Sequence, residues 1–201
     1  MSFRFKKAEL GVFNSNSDIA ISGFKIGCRL IGLTRGQFSL IDLIRSVLKK
    51  TGPAHVVCVT WSAGIKDAHQ VEWMQRNDLI KTFTLITDHS YVTRQKKYSV
   101  TLTELFGDEN IRTSEIHAKF VLIHNEDYKV CIRTSMNLNA NKTCESFELD
   151  EDEEIFNFYM DFVEHTFGTM PSGFTSSSFK VNKSLDLFFA KKSTIKGWTE
   201  V

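Results

Sequence analysis

The stretch Glu115-Ile-His117-Ala-Lys119-Phe-Val-Leu-Ile-His124, running on through Asn125-Glu-Asp-Tyr into Lys129-Val-Cys-Ile-Arg-Thr134-Ser135-Met-Asn137, decides how this chain is read. Two apolar runs, residues 120–123 and 130–132, are rich in β-branched side chains and flank a polar turn at Asn125-Glu126-Asp127, the pattern of two strands in a hairpin. Side chains in a strand alternate between faces. His117 and Lys119 are therefore expected on one side, roughly 7 Å apart. An imidazole beside an ammonium is the outline of a phosphate site. On the following strand Ser135 and Asn137 share a face and add a hydroxyl and an amide able to hydrogen-bond phosphate oxygens. Further on, Glu145 could accept the Nδ1 proton of His117, fix its tautomer and leave Nε2 free as a nucleophile.

His117-x-Lys119, a short apolar strand, Ser135-x-Asn137 and a downstream Glu145 together resemble the H-x-K-x4-D and G-S-x-N signature of the phospholipase D superfamily, in a single copy. The match is close over residues 115–149 and looser around them. It departs twice, with His124 where the family has Asp and Thr134 where it has Gly. Position 124 is an odd offset from His117, so a regular strand turns it to the opposite face. There it is expected to support the hairpin and not to touch phosphate.

Composition narrows the class. With 201 residues, 42% hydrophobic and 24% charged, the chain can bury one full core. Its net charge of +1 exerts no global pull on polyanions, so nucleic-acid contact must rest on local patches. No run of about eighteen apolar residues occurs, and Met1-Ser-Phe-Arg-Phe-Lys-Lys7 has no apolar segment behind its charges, so a cytoplasmic protein with no membrane partner is expected. Cys28, Cys58, Cys131 and Cys144 are widely spaced without a C-x-x-C pair and read as reduced core thiols. No glycine-rich phosphate loop, H-E-x-x-H or carboxylate cluster marks a metal or cofactor site, and none is expected.

Around the central motif, strand and helix patterns alternate. Residues 24–33 read as a strand. Ser39 then caps a helix with Leu40, Ile41, Leu43, Ile44, Val47 and Leu48 inward, stopped by Gly52-Pro53. Strand 56–61 ends in the small-residue turn Ser62-Ala63-Gly64; Asp67 is placed to cap a helix with Ala68, Val71 and Met74 inside and Trp73 beside them. After strand 81–87, the polar loop from Asp88 to Tyr91 lies where open α/β sheets bind ligands. Residues 92–106 read as a helix closed by Gly107, with Tyr98, Leu102, Leu105 and Phe106 inward and Arg94, Lys96 and Lys97 outward as candidate polyanion contacts. A short strand at 111–113 leads into the motif. After it an acidic run, residues 148–154, precedes an amphipathic helix over 155–167. The alternation predicts an α/β fold with a mixed, largely parallel sheet flanked by helices. The division expected is a phospholipase D-like domain at 1–168, then a Ser-rich linker and C-terminal tail at 169–201 free to dock on the domain, pair with a second subunit or follow nucleic acid.

The resemblance implies a hydrolase of phosphodiesters in which a histidine attacks phosphorus to give a phosphohistidine, without metal, while a second histidine protonates the leaving group. One motif per chain then implies a homodimer. His117, Lys119 and Glu145 would be catalytic, and Ser135 and Asn137, with Arg94, Lys96 and Lys97, would bind substrate. A small single-motif chain is more similar to the endonuclease-like branch, including members from phages and mobile elements, so DNA is the expected substrate. A nucleic-acid-binding module without turnover, and a phospholipase or phosphatidyl transferase, remain as alternatives.

Overall fold

A computed structural model describes residues 8–11, 16–140 and 142–193. Most of the mixed N-terminal stretch and the end of the tail, with Lys196, lie outside the described residues. Among the described residues eight strands form one sheet: β1 (Ala8–Gly11), β2 (Arg29–Thr34), β3 (Ala54–Thr60), β4 (Ile80–Asp88), β5 (Ile111–Ser114), β6 (Phe120–His124), β7 (Lys129–Thr134) and β8 (Glu145–Glu151), in the order β1-β2-β8-β7-β6-β3-β4-β5. The pairs β1·β2, β3·β4 and β4·β5 are parallel, and the four pairs joining β2, β8, β7, β6 and β3 are antiparallel. Followed along the sheet, β1 to β5 and β7 share one direction and β6 and β8 oppose it, so the sheet is mixed as expected but, by its pairings, not largely parallel: its middle pairs are antiparallel because the β6·β7 hairpin and β8 are inserted between β2 and β3. The expected hairpin is β6·β7, in register Val121↔Ile132 and Ile123↔Val130. Its turn is closed by Asn125, whose side-chain oxygen accepts from the backbone N–H of Asp127 and of Tyr128, each at 3.0 Å.

Alternation in the strands gives each face its own core. On one side Val56, Cys58, Val121, Ile123, Val130, Ile132, Phe147 and Leu149 meet the helices α2 (Leu40–Thr51), α3 (Ile65–Arg76) and α5 (Lys96–Phe106), with the short α1 (Ser17–Ala20) held to α2 through Ser17 and Ser46. Helix α2 starts as its sequence demands: Ser39 and Asp42 form a capping box. It ends at Gly52, whose φ of 77° suits the residue without a Cβ. On the other side Val57, Val59, Ile86, Phe120, Leu122 and Cys131 pack under α6 (Glu153–Thr169). Asp152 caps α6, accepting from the N–H of Glu154 and Ile155. Burial pushes the Cys58 and Cys131 thiols up to about 12, as inert core thiols require.

Several local expectations shift. The strand expected from residue 24 begins at Arg29. Asp67 does not cap α3; Gly64 does, and Asp67 sits buried in the first turn. The helix expected over 92–106 is divided at Gln95 (φ −133°, ψ 50°) into α4 (Tyr91–Arg94) and α5, and the break turns Tyr98 outward, leaving it 43% exposed. His117 and Lys119 precede β6, and Ser135 and Asn137 follow β7, so all four occupy connecting chain, with the Lys119 carbonyl and the Ser135 N–H carrying the pairing one step past the strands.

The chain after α6 is strapped to the sheet. Gly173 (φ 77°) donates its N–H to the carbonyls of Asp108 and Ile111 at the β5 edge, and a Cβ on it would meet Asp108 Oδ1 at 2.5 Å. Phe174 stacks on buried Tyr91. Helix α7 (Ser178–Ser193) then lies on α6 through Val181, Phe188 against Phe162, and His165 on the carbonyl of Ser184.

His124, at the far end of β6 from His117, stacks on His55 and meets the Phe156 ring. Burial, then the neighbouring His55 and Lys129, hold its imidazole below the ordinary histidine range. The unfolded chain therefore binds this proton at higher pH than the folded one. The contribution is full above about pH 6.5 and is lost as pH falls below it. His124→Phe, which keeps both ring contacts, should lose less thermal stability between about pH 7.5 and pH 5.5 than the wild type; equal losses in paired melting curves would contradict the assignment.

Candidate active site

Strand register gathers the site at one edge of the sheet. Val59 pairs with Phe120, Phe120 with Arg133, Thr134 with Phe147 and Thr34 with Glu145. The ends of β3 and β7 and the beginnings of β6 and β8 are thereby aligned, and Trp61, the 115–119 segment, Ser135 and Glu145 emerge together. This is the end of the parallel strands at which open α/β sheets place ligands.

Lys119 brings its Nζ to 3.2 Å from Nδ1 and 3.4 Å from Nε2 of His117, whose side chain is exposed. Lys119 is half-buried. Desolvation lowers its pKa from the ordinary lysine value, and the charge of Glu145 works against that shift. The Glu145 carboxylate accepts from the hydroxyls of Ser135 and Thr143. It faces Lys119 and holds Ser135; its described hydrogen bonds do not include His117. Ser135 Oγ accepts from the Ser146 N–H at 2.9 Å. Asn137 accepts from Thr60 Oγ1 at 3.2 Å, which ties the end of the motif to β3. Thr134, in place of the glycine of the resemblance, donates its hydroxyl to the Ser146 carbonyl at 2.7 Å and accepts from the Met136 N–H at 3.0 Å. It thus shapes the turn that presents Ser135. His124 stays away from the site because it ends β6 beside the 125–128 turn, opposite Lys129; its odd offset decides nothing, since His117 lies outside the strand.

Two residues not singled out in the sequence complete the setting. Asp88, at the end of β4, is 7% exposed; its Oδ2 accepts from the Ile116 N–H at 3.2 Å and its Oδ1 from the N–H and hydroxyl of Ser90. Ser90 Oγ accepts from Arg94 Nε at 3.0 Å. Arg94 in turn donates to the Trp61 carbonyl and lays its guanidinium 3.7 Å over the Trp61 ring, which stands 6.1 Å from the His117 ring. Arg94 is thus brought to the site through Trp61. Lys96 and Lys97 are exposed on the first turn of α5.

An imidazole, an ammonium, a hydroxyl and a carboxylate therefore converge. Such a set can bind a phosphodiester, with Lys119 and Ser135 meeting its oxygens and a ring nitrogen of His117 facing phosphorus.

No family model matches the chain, and no curated protein aligns with it. Its fold does match solved structures. NucT from Helicobacter pylori superposes with a TM-score of 0.51 at 14% identity, over 72% of this chain and 99% of that one. Phosphatidylserine synthase from Haemophilus influenzae gives a TM-score of 0.51 at 14% identity, over 82% of this chain and 45% of that one. Nuc from Salmonella typhimurium, a phospholipase D family member, gives 0.49 at 10%, over 73% and 98%. The chain thus shares the fold of NucT and of the phosphatidylserine synthase.

The exposed His117 ring carries little packing, so His117→Ala should leave the melting temperature within a few degrees of wild type. Asp88→Ala orphans buried donors at about 1–3 kcal/mol and should lower it by several degrees. Calorimetry reporting the reverse order would show that the segment is held elsewhere.

Proposed function

We propose that the protein is a phosphodiesterase acting on nucleic acid, DNA above all, through a phosphohistidine at His117 in a homodimeric site. The observation that carries this reading is the 3.2 Å approach of the Lys119 ammonium to the His117 ring, beside the Glu145–Ser135 pair. In the proposed reaction a lone pair of a His117 ring nitrogen attacks phosphorus, a P–N bond forms and the bond to the leaving oxygen breaks. Lys119 and Ser135 meet the charge gathering on the non-bridging oxygens, and Asn137 adds an amide at the rim. Glu145 holds Ser135 in place and keeps Lys119 charged against its desolvation. The leaving oxygen takes a proton from the partner subunit's His117, which then draws a proton from water as the water displaces the imidazole. The site supplies its own cation and donors, so the proposed steps call on no metal.

Arg94 over Trp61 supports contact with the polyanion beyond the reacting phosphate, and Lys96 and Lys97 extend the same basic group along α5. The end of the parallel strands, where all these groups emerge, is the surface assigned to the second copy.

Cleavage of DNA in the presence of chelator is expected. Lys119→Ala should lower the rate by more than tenfold, and Glu145→Ala by about a hundredfold, the scale of losing preorganised charge stabilisation, since it releases Ser135 and removes the charge that supports Lys119. Wild-type rates retained in both variants would contradict the site. Adding excess His117→Ala chains to wild type should reduce activity by more than dilution does, because a mixed dimer holds one histidine of the two required. A strictly proportional loss would exclude the shared site.

A further inference from the structure

A groove of about 320 Å³ opens beside His117 between α6 and α7, at the lower end of the size range for small-ligand sites. Its lining is mostly rings: Phe120, Phe158, Tyr159, Phe162, Phe188 and Phe189. His117 and Ala118 belong to the same lining, so the groove and the reacting histidine form one continuous surface. Phe158 and Phe189, at the groove, are 62% and 63% exposed. Phe158 meets Tyr159 at 89° and Phe162 meets Phe188 at 85°, edge-to-face packing in which the ring offering its edge keeps its faces available.

We infer that this groove is a subsite for an unpaired nucleobase next to the scissile phosphate, and hence that the substrate is single-stranded nucleic acid. The inference rests on the phosphodiesterase reading and names its substrate class. A phosphodiester seated on His117 and Lys119 must direct one of its substituents at the groove mouth. Aromatic faces favour a flat π-system there: a base gains stacking on Phe and Tyr as well as burial, whereas an acyl chain gains burial alone and would be served as well by aliphatic walls. A base inside a duplex must first be unstacked and unpaired, at a cost of a few kcal/mol that an already unpaired strand does not bear, so the groove favours single strands. Trp61, carrying Arg94, offers a second ring beside His117 for the next base along the strand. Stacking reads no hydrogen-bond pattern, and the subsite therefore tolerates any base sequence.

The test is fluorescence anisotropy of the full chain, in a His117→Ala background that prevents turnover, with a labelled ten-residue oligothymidylate and with an abasic oligonucleotide of equal length. Phe158→Leu and Phe189→Leu, which keep apolar bulk but remove the ring, should each weaken oligothymidylate binding about tenfold while barely changing the abasic affinity. Phe158→Tyr should restore it. Equal losses on both oligonucleotides, or none on either, would overturn the subsite. So would competition for the groove by short-chain phosphatidylcholine, or a loss accompanied by dimer dissociation in sedimentation, which would assign the rings to lipid or to a second copy. Ring-dependent binding of oligothymidylate by a wild-type protein that cleaves no nucleic acid would instead leave the subsite standing and refute the phosphodiesterase.

Discussion

The antiparallel pairing of β6 with β7 is the constraint on which the site depends. It joins two segments that face each other only in this register, the His117 segment before β6 and the Ser135 turn after β7, and one further bond, from the Thr134 N–H to the Lys119 carbonyl, extends the pairing to the lysine itself. A slip of one residue would turn Val121, Ile123, Val130 and Ile132 out of one core and into the other. The apolar pattern that fills the two cores thereby also places the groups of the candidate site.

A second constraint lies beneath the site on the α6 face. Asp150, with a fully buried side chain, is gripped by Arg29 and Arg133, and both arginines also reach Glu148. These groups link β2, β8 and β7 across their antiparallel pairs. Glu145 and Glu148 are an odd number of residues apart in β8, so one carboxylate faces the site and the other the arginine network. A buried carboxylate with two guanidiniums holds its strands because the loss of one partner would leave charge desolvated and unpaired.

The hairpin, the alternation of strands and helices and the inner residues of α2 and α3 were legible because period-2 and helical apolar patterns leave little choice once two faces must be covered. His117, Lys119, Ser135 and Glu145 were legible from local spacing, and they do converge. What sequence spacing misjudged was local backbone: 115–119 carries strand-like alternation but finds a ladder partner only at its last residue, and Asp67 has the chemistry of a cap while Gly64 has the position. Trp61, Asp88 and the α6–α7 groove were not legible, because each acquires meaning from parts of the chain far apart in sequence. Asp88 reaches Ile116, Trp61 receives Arg94, and the groove needs α7 laid on α6. The signals available were the small-residue turn after β3 and the polar loop from Asp88 to Tyr91, which mark an approach to the site without naming the Trp61 ring or the Asp88 contact to Ile116.

The most direct test of the account is to trap the intermediate. The full protein is mixed with an end-labelled single-stranded oligonucleotide, quenched in alkali and digested, and the peptides are examined by mass spectrometry under non-acidic conditions. The account predicts an acid-labile phosphoryl-nucleotide adduct on His117, absent from His117→Ala. Cleavage without any adduct, or an adduct on another residue, would contradict it.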